Sequence, residues 1–134
     1  MRFLPLAIFL SLTAPSASAE ERMSGAEFDA FTQGQTFTYG NRGGPYGAEA
    51  YLEDRRVRWS FLDGECKAGY WYETDDSLIC FVYEDRPDDP QCWSFYMRDG
   101  RLVATFESNG RSTELYQIDK SDEPLLCHGP KIGV

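Results

Sequence analysis

The sequence predicts an all-β protein: about eight short strands in an antiparallel meander, forming a barrel or barrel-like sheet with a short N-terminal helix. A two-sheet sandwich is the alternative architecture. Three observations lead there. Short runs rich in aromatic and β-branched residues recur along the chain. Turn signals separate them, among them Asp63-Gly64, Asp75-Asp76, Asp99-Gly100 and Asn109-Gly110. Connections this short make consecutive strands pair antiparallel, and closing the meander would remove exposed edges.

The chain opens with Met1 and Arg2, a mostly apolar run from Phe3 to Leu12, and the small-residue pattern Ala17-Ser18-Ala19. That order reads as a signal peptide over residues 1–19, cut before Glu20. The apolar run is short for a membrane span, and no later run reaches that length. No cysteine stands near the cleavage site to carry a lipid. Residues 20–134 then form a single disulfide-stapled β domain, exported to the periplasm or secreted. With Arg2 in the leader, 12 basic residues stand against 22 acidic ones, a charge of −10 for the mature chain. Such a surface repels nucleic acid and anionic lipid, and favours solubility or a basic partner.

Ser24-Gly25-Ala26-Glu27 has capping-box spacing, and Phe28 and Phe31 share one helical face. A helix over Gly25–Thr32 is expected, stopped by Gly34 and packed on the domain through its two phenylalanines. Strands follow at Gln35–Tyr39, Ala48–Glu53, Val57–Phe61, Ala68–Glu73, Leu78–Glu84, Cys92–Arg98, Leu102–Phe106 and Thr113–Ile118. Gly40–Gly47, "GNRGGPYG", reads as a glycine-rich loop; it lacks the lysine and spacing of a phosphate loop. Leu78–Tyr83 is apolar on both faces, so this strand is expected to be covered on both sides, with the helix as the candidate cover. Arg86-Pro87-Asp88-Asp89-Pro90 makes an outward turn with a shape set by its prolines.

Four cysteines in a short exported chain read as two disulfides. Zinc is the rival, but Cys66, Cys80, Cys92 and Cys127 contain no CxxC knuckle. Three pairings exist. The turn between them favours Cys80 with Cys92, leaving Cys66 with Cys127 to tie down the C-terminal segment.

The runs "ICFVYE" and "QCWSFY", together with Gly34-Gln35-Thr36-Phe37, Arg58-Trp59, Gly64-Glu65-Cys66 through Trp71, Cys92-Trp93 and the leader, resemble an uncharacterised family of small exported alphaproteobacterial proteins, a domain of unknown function. The resemblance spans most of the mature chain. It implies a Gram-negative periplasm or the external medium, and it brings no activity, substrate or site residue.

Catalytic chemistry finds little support. The single histidine, His128, follows Cys127 near the chain end, and no nucleophile elbow such as GxSxG is present. Paired carboxylates drawn from Glu49, Glu53, Glu65, Glu73 and Glu84 offer a hydrolase reading in principle, but nothing in the sequence selects a pair. The run Glu84-Asp85-Arg86-Pro87-Asp88-Asp89 suits calcium in its ligand type but lacks the EF-hand register; Asp75-Asp76 would add ligands if the two turns met. No cofactor motif is read. The stronger lead is the aromatic content, 18 residues in the 115 of the mature chain. Tyr46, Tyr70, Trp71, Tyr72, Trp93 and Tyr96 exceed what one small core needs and are the candidate binding surface. The expectation is a non-catalytic binding or structural protein of the cell envelope, with a basic protein as partner. The alternatives are a small-ligand carrier using a barrel lumen, an inhibitor of a basic hydrolase such as lysozyme, and a carboxylate-based hydrolase.

Overall fold

The computed structural model describes residues 20–107 and 113–128. Residues 1–19, read above as a signal peptide, and the Asn109-Gly110 turn lie outside the described residues. One helix, α1 (Gly25–Thr32), precedes eight strands: β1 (Thr36–Asn41), β2 (Gly44–Tyr51), β3 (Arg56–Ser60), β4 (Lys67–Glu73), β5 (Ile79–Tyr83), β6 (Gln91–Arg98), β7 (Arg101–Phe106) and β8 (Glu114–Ser121). Each strand pairs antiparallel with the next. β8 returns to β1, with Thr36 opposite Ser121 and Phe37 opposite Lys120. The sheet is therefore a closed barrel, which sets aside the sandwich. Alternation along the strands sends Phe37, Tyr39, Glu49, Tyr51, Val57, Trp71, Phe81, Phe95 and Leu115 into the interior.

The capping box forms as its spacing requires: Ser24 Oγ accepts from the Glu27 amide at 3.2 Å, and Glu27 Oε2 accepts from the Ser24 amide at 2.8 Å. The helix start is also tied to the sheet, where the Gly25 amide donates to the Glu73 carboxylate at the end of β4. A side chain at Gly25 would collide with that carboxylate. The helix ends as Gly34 takes a φ of +78° and its amide donates to the Tyr51 carbonyl at 2.8 Å.

These ties hold α1 across one end of the barrel. Phe28 is 0% exposed and sits among Tyr51, Trp71 and Phe95, with ring centroids 5.4, 5.1 and 4.5 Å away. Edge-on and tilted contacts of this kind suit the charge distribution of aromatic rings. Phe31 is only half-buried; it lies 5.7 Å from Phe37 beneath the Lys120 ammonium. Arg55, in a tight 3-10 turn between β2 and β3, lays its guanidinium 4.4 Å from the Trp71 ring.

Three expectations need correction. The glycine-rich stretch is a loop only at Arg42 and Gly43. A register shift at Tyr39/Gly40 lets β1 and β2 keep pairing as far as Asn41 opposite Gly44. The helix occupies the barrel end and meets β5 from the interior, where the Phe28 and Phe81 ring centroids are 6.3 Å apart, so it does not cover the outer face. Cys80 and Val82 on the outer face of β5 are buried instead beside Tyr72 and Tyr70, their neighbours across β4. The acidic turns do not meet: Asp75-Asp76 joins β4 to β5 at the helix end, and residues 84–90 join β5 to β6 at the opposite end.

The disulfides are Cys80–Cys92 and Cys66–Cys127. Cys80 and Cys92 are directly opposed in the β5–β6 ladder, with Cα atoms 3.9 Å apart. Cys66–Cys127 fastens the segment after β8 to the β3–β4 connection.

Candidate functional site in the barrel lumen

With α1 filling one end, the interior space lies toward the other. A cavity of about 280 Å³ opens there, between the upper halves of the strands. Its walls are mostly rings: Tyr39 from β1, Tyr51 from β2, Trp59 from β3, Phe81 and Tyr83 from β5, and Trp93 from β6. Ala104 and Leu115 are small enough on the far wall to leave the space. Gly47 plays a similar part on β2, since any side chain there would run into the Trp59 ring.

Glu49 is the exception in this apolar wall. It is 1% exposed and stands opposite Phe37 on β1 and Trp59 on β3. The Tyr83 hydroxyl donates to Oε1 at 2.9 Å, while Oε2 has no hydrogen-bond partner among the described residues. Loss of water drives the Glu49 carboxyl well above the usual carboxylate range, against the smaller opposing effect of the Tyr83 hydrogen bond. Beside it the hydroxyls of Tyr39 and Tyr51 share a 2.7 Å hydrogen bond. Burial pushes both phenols up as well, and does the same to Tyr83 with the Glu49 charge as the next cause. Burial thus favours the neutral form of the Glu49 carboxyl and of all three phenols.

The mouth has a different character. Lys67 Nζ and Asp85 Oδ2 form a 2.7 Å ion pair, and the Lys67 hydrogen bond holds Asp85 below its usual range. Arg86 and Asp89 pair more loosely at 3.8 Å. Tyr46, Trp59 and Phe61 make a cluster with centroids 5.4–6.0 Å apart, and Tyr46 and Phe61 are 40% and 48% exposed. An apolar lip above a largely apolar chamber with few convergent polar groups is the usual form of a small-molecule site.

The six aromatics singled out from sequence do not share one face. Tyr46 and Trp93 belong to the cavity wall. Trp71 is buried under the helix. Tyr70 and Tyr72 are exposed on the outer face of β4, and Tyr96 lies outside on β6, where its hydroxyl accepts from Arg22 at 3.4 Å. Tyr39, Glu49, Tyr51, Trp59 and Tyr83 were not singled out as a binding set. One signal was available: Phe37, Glu49 and Trp59 become neighbours once β1, β2 and β3 are put in register, which places an acid among rings.

The other carboxylates have separate duties. Glu73 receives the helix start, Glu84 accepts from the Ala68 amide at 3.1 Å, and Glu65 lies 3.3 Å from His128 Nδ1 in an exposed pair. The described residues contain no group of three or more His, Cys, Asp or Glu side chains placed to hold a metal ion. No family model matches the chain, and no curated protein or solved structure is significantly similar to it.

Proposed function

We propose that this protein is a non-catalytic binder of a small molecule, held in the barrel lumen. The observation that carries the reading is the one-ended chamber: a closed barrel corked by Phe28, with a ring-lined cavity of about 280 Å³ reaching in from the other end. Eight strands make an interior that side chains either fill or leave open for one small ligand. Here the half above the helix is left open. Binding is favoured over catalysis because the only other carboxylate in the wall among the described residues, Asp85, is engaged by Lys67 at the mouth. A basic protein partner and inhibition of a basic hydrolase draw support from the net charge alone. The lumen reading has a shaped cavity as well, and it stands first.

The test is a fragment screen followed by nuclear magnetic resonance, with two variants beside the wild type. Ala104→Leu fills the chamber and should weaken any lumen ligand at least about tenfold, the scale of one or two methylenes of lost space. A Tyr70→Ser, Tyr72→Ser double variant alters only the outer face and should leave affinity unchanged. Fragments that respond to the outer-face variant and ignore Ala104→Leu would sink the proposal. High salt separates the rival as well: a charge-steered partner should dissociate, and a lumen ligand should stay bound.

A further inference from the structure

Glu49 is fully buried, lines the cavity and has an oxygen with no partner among the described residues. A polar atom so placed is costly unless something hydrogen-bonds to it. We propose that the lumen takes a small organic cation, a primary ammonium on an aromatic or short alkyl body, with the Glu49 carboxylate as its counter-ion. This proposal rests on the lumen reading and names the ligand class that the lumen selects.

The surroundings of Glu49 favour a cation. The titratable groups facing it are Tyr39 on β1, Tyr51 on β2 and Tyr83 on β5. Each offers hydroxyl lone pairs, and their rings present the negative faces that attract an ammonium. The charged side chains of the wall lie toward the mouth: Lys67 on β4, with Asp85 and Arg86 after β5. Lys67 and Arg86 each have an acid beside them, so neither is free to reach inward as the counter-ion of Glu49. β3, β6, β7 and β8 contribute only uncharged side chains to the cavity. An acidic chain also draws cations from solution. A neutral ligand would need only hydrogen bonds, which the phenols supply; a cation uses the charge that Glu49 is able to acquire.

That charge has a proton balance. Burial favours the neutral carboxyl in the protein alone. An ammonium beside it favours the carboxylate, so a cation that meets a protonated Glu49 releases that proton to solvent. Affinity should then rise about tenfold per pH unit until the pH passes the pKa of Glu49 in the unbound protein. The chamber holds a ligand of roughly nine non-hydrogen atoms, taking ~30 Å³ for each water-sized unit.

Phenethylammonium and 2-phenylethanol are matched probes of that size, one cationic and one neutral. Isothermal titration of the intact mature protein with each, in two buffers of different ionisation enthalpy, reads affinity and proton release together. The wild type should prefer the ammonium by about tenfold or more at pH 8, and between about pH 5 and pH 8 its binding should release protons from Glu49. Glu49→Gln should lose that preference and keep the alcohol. Should Glu49→Gln fail to fold, proton release by the wild type decides alone. Equal or stronger binding of the alcohol, or ammonium binding without proton release, would overturn the cation proposal and leave the lumen reading standing. Binding of neither probe would remove both.

Discussion

Replacing Glu49 by glutamine should change the stability of this protein by an amount that grows with pH. Glu49 is buried and its folded-state pKa lies well above the 4.5 of an ordinary glutamate. A carboxyl raised in this way opposes folding as pH rises. Below 4.5 it is protonated in both states and contributes no pH dependence. Above 4.5 the unfolded chain loses the proton while the folded chain keeps it, and wild-type stability falls. Each pH unit in that window removes about 1.4 kcal/mol, until the pH passes the folded pKa and the loss levels off. Glutamine keeps an oxygen for the Tyr83 hydroxyl and cannot titrate. Its amide adds a constant offset, because an unpartnered buried donor costs the same at every pH. The test is the slope of the difference between variant and wild type, in which the other titrating groups cancel. Inside that window the difference should grow by about 1.4 kcal/mol per pH unit, a relative shift in urea midpoint of roughly 0.5–1.4 M per unit for ordinary m-values. Urea unfolding with disulfides intact, from pH 4.5 upward in half-unit steps, reads it directly. A flat difference across that range would mean that water solvates the Glu49 carboxyl, against the burial that raises its pKa.

Two further outcomes follow from the same geometry. Phe28→Ala empties the cork between Tyr51, Trp71 and Phe95 and should destabilise the fold by about 3–5 kcal/mol, measured by urea unfolding; a loss under about 1 kcal/mol would show that the helix is peripheral. Substituting Cys80 and Cys92 together by alanine opens a loop of 12 residues' separation and should cost about 3 kcal/mol, while peptide mapping of the variant should still join Cys66 to Cys127.

Local chemistry made much of the fold legible. The capping box at Ser24 and Glu27 placed α1 at Gly25–Thr32, because both reciprocal bonds are made within four residues. Strand alternation and tight turns pointed to the meander, and the strand ends moved by only a few residues where ladder pairing continued past the propensity signal. The largest such change is at Gly40–Gly47. There glycine and proline suggested a loop, but the register shift after Tyr39 let both strands extend.

The site was harder to read, because it depends on which wall each aromatic faces. Tyr70, Trp71 and Tyr72 are adjacent in the chain, yet Trp71 is sealed beneath the helix while its neighbours face outward. Tyr39, Glu49 and Tyr83 come from strands 1, 2 and 5, and only closure of β8 on β1 turns their common side into a lumen. Glu49 looked like one of several strand acids. Its environment, rather than its residue type, sets it apart.

The most direct test of the account is where a small ligand rests. Isotope-filtered nuclear Overhauser spectra of residues 20–134 with phenethylammonium should show contacts from the ligand ring to Trp93, Ala104 and Leu115, side chains that meet only inside the barrel. Contacts confined to the outer-face residues Tyr70 and Tyr72 would contradict it.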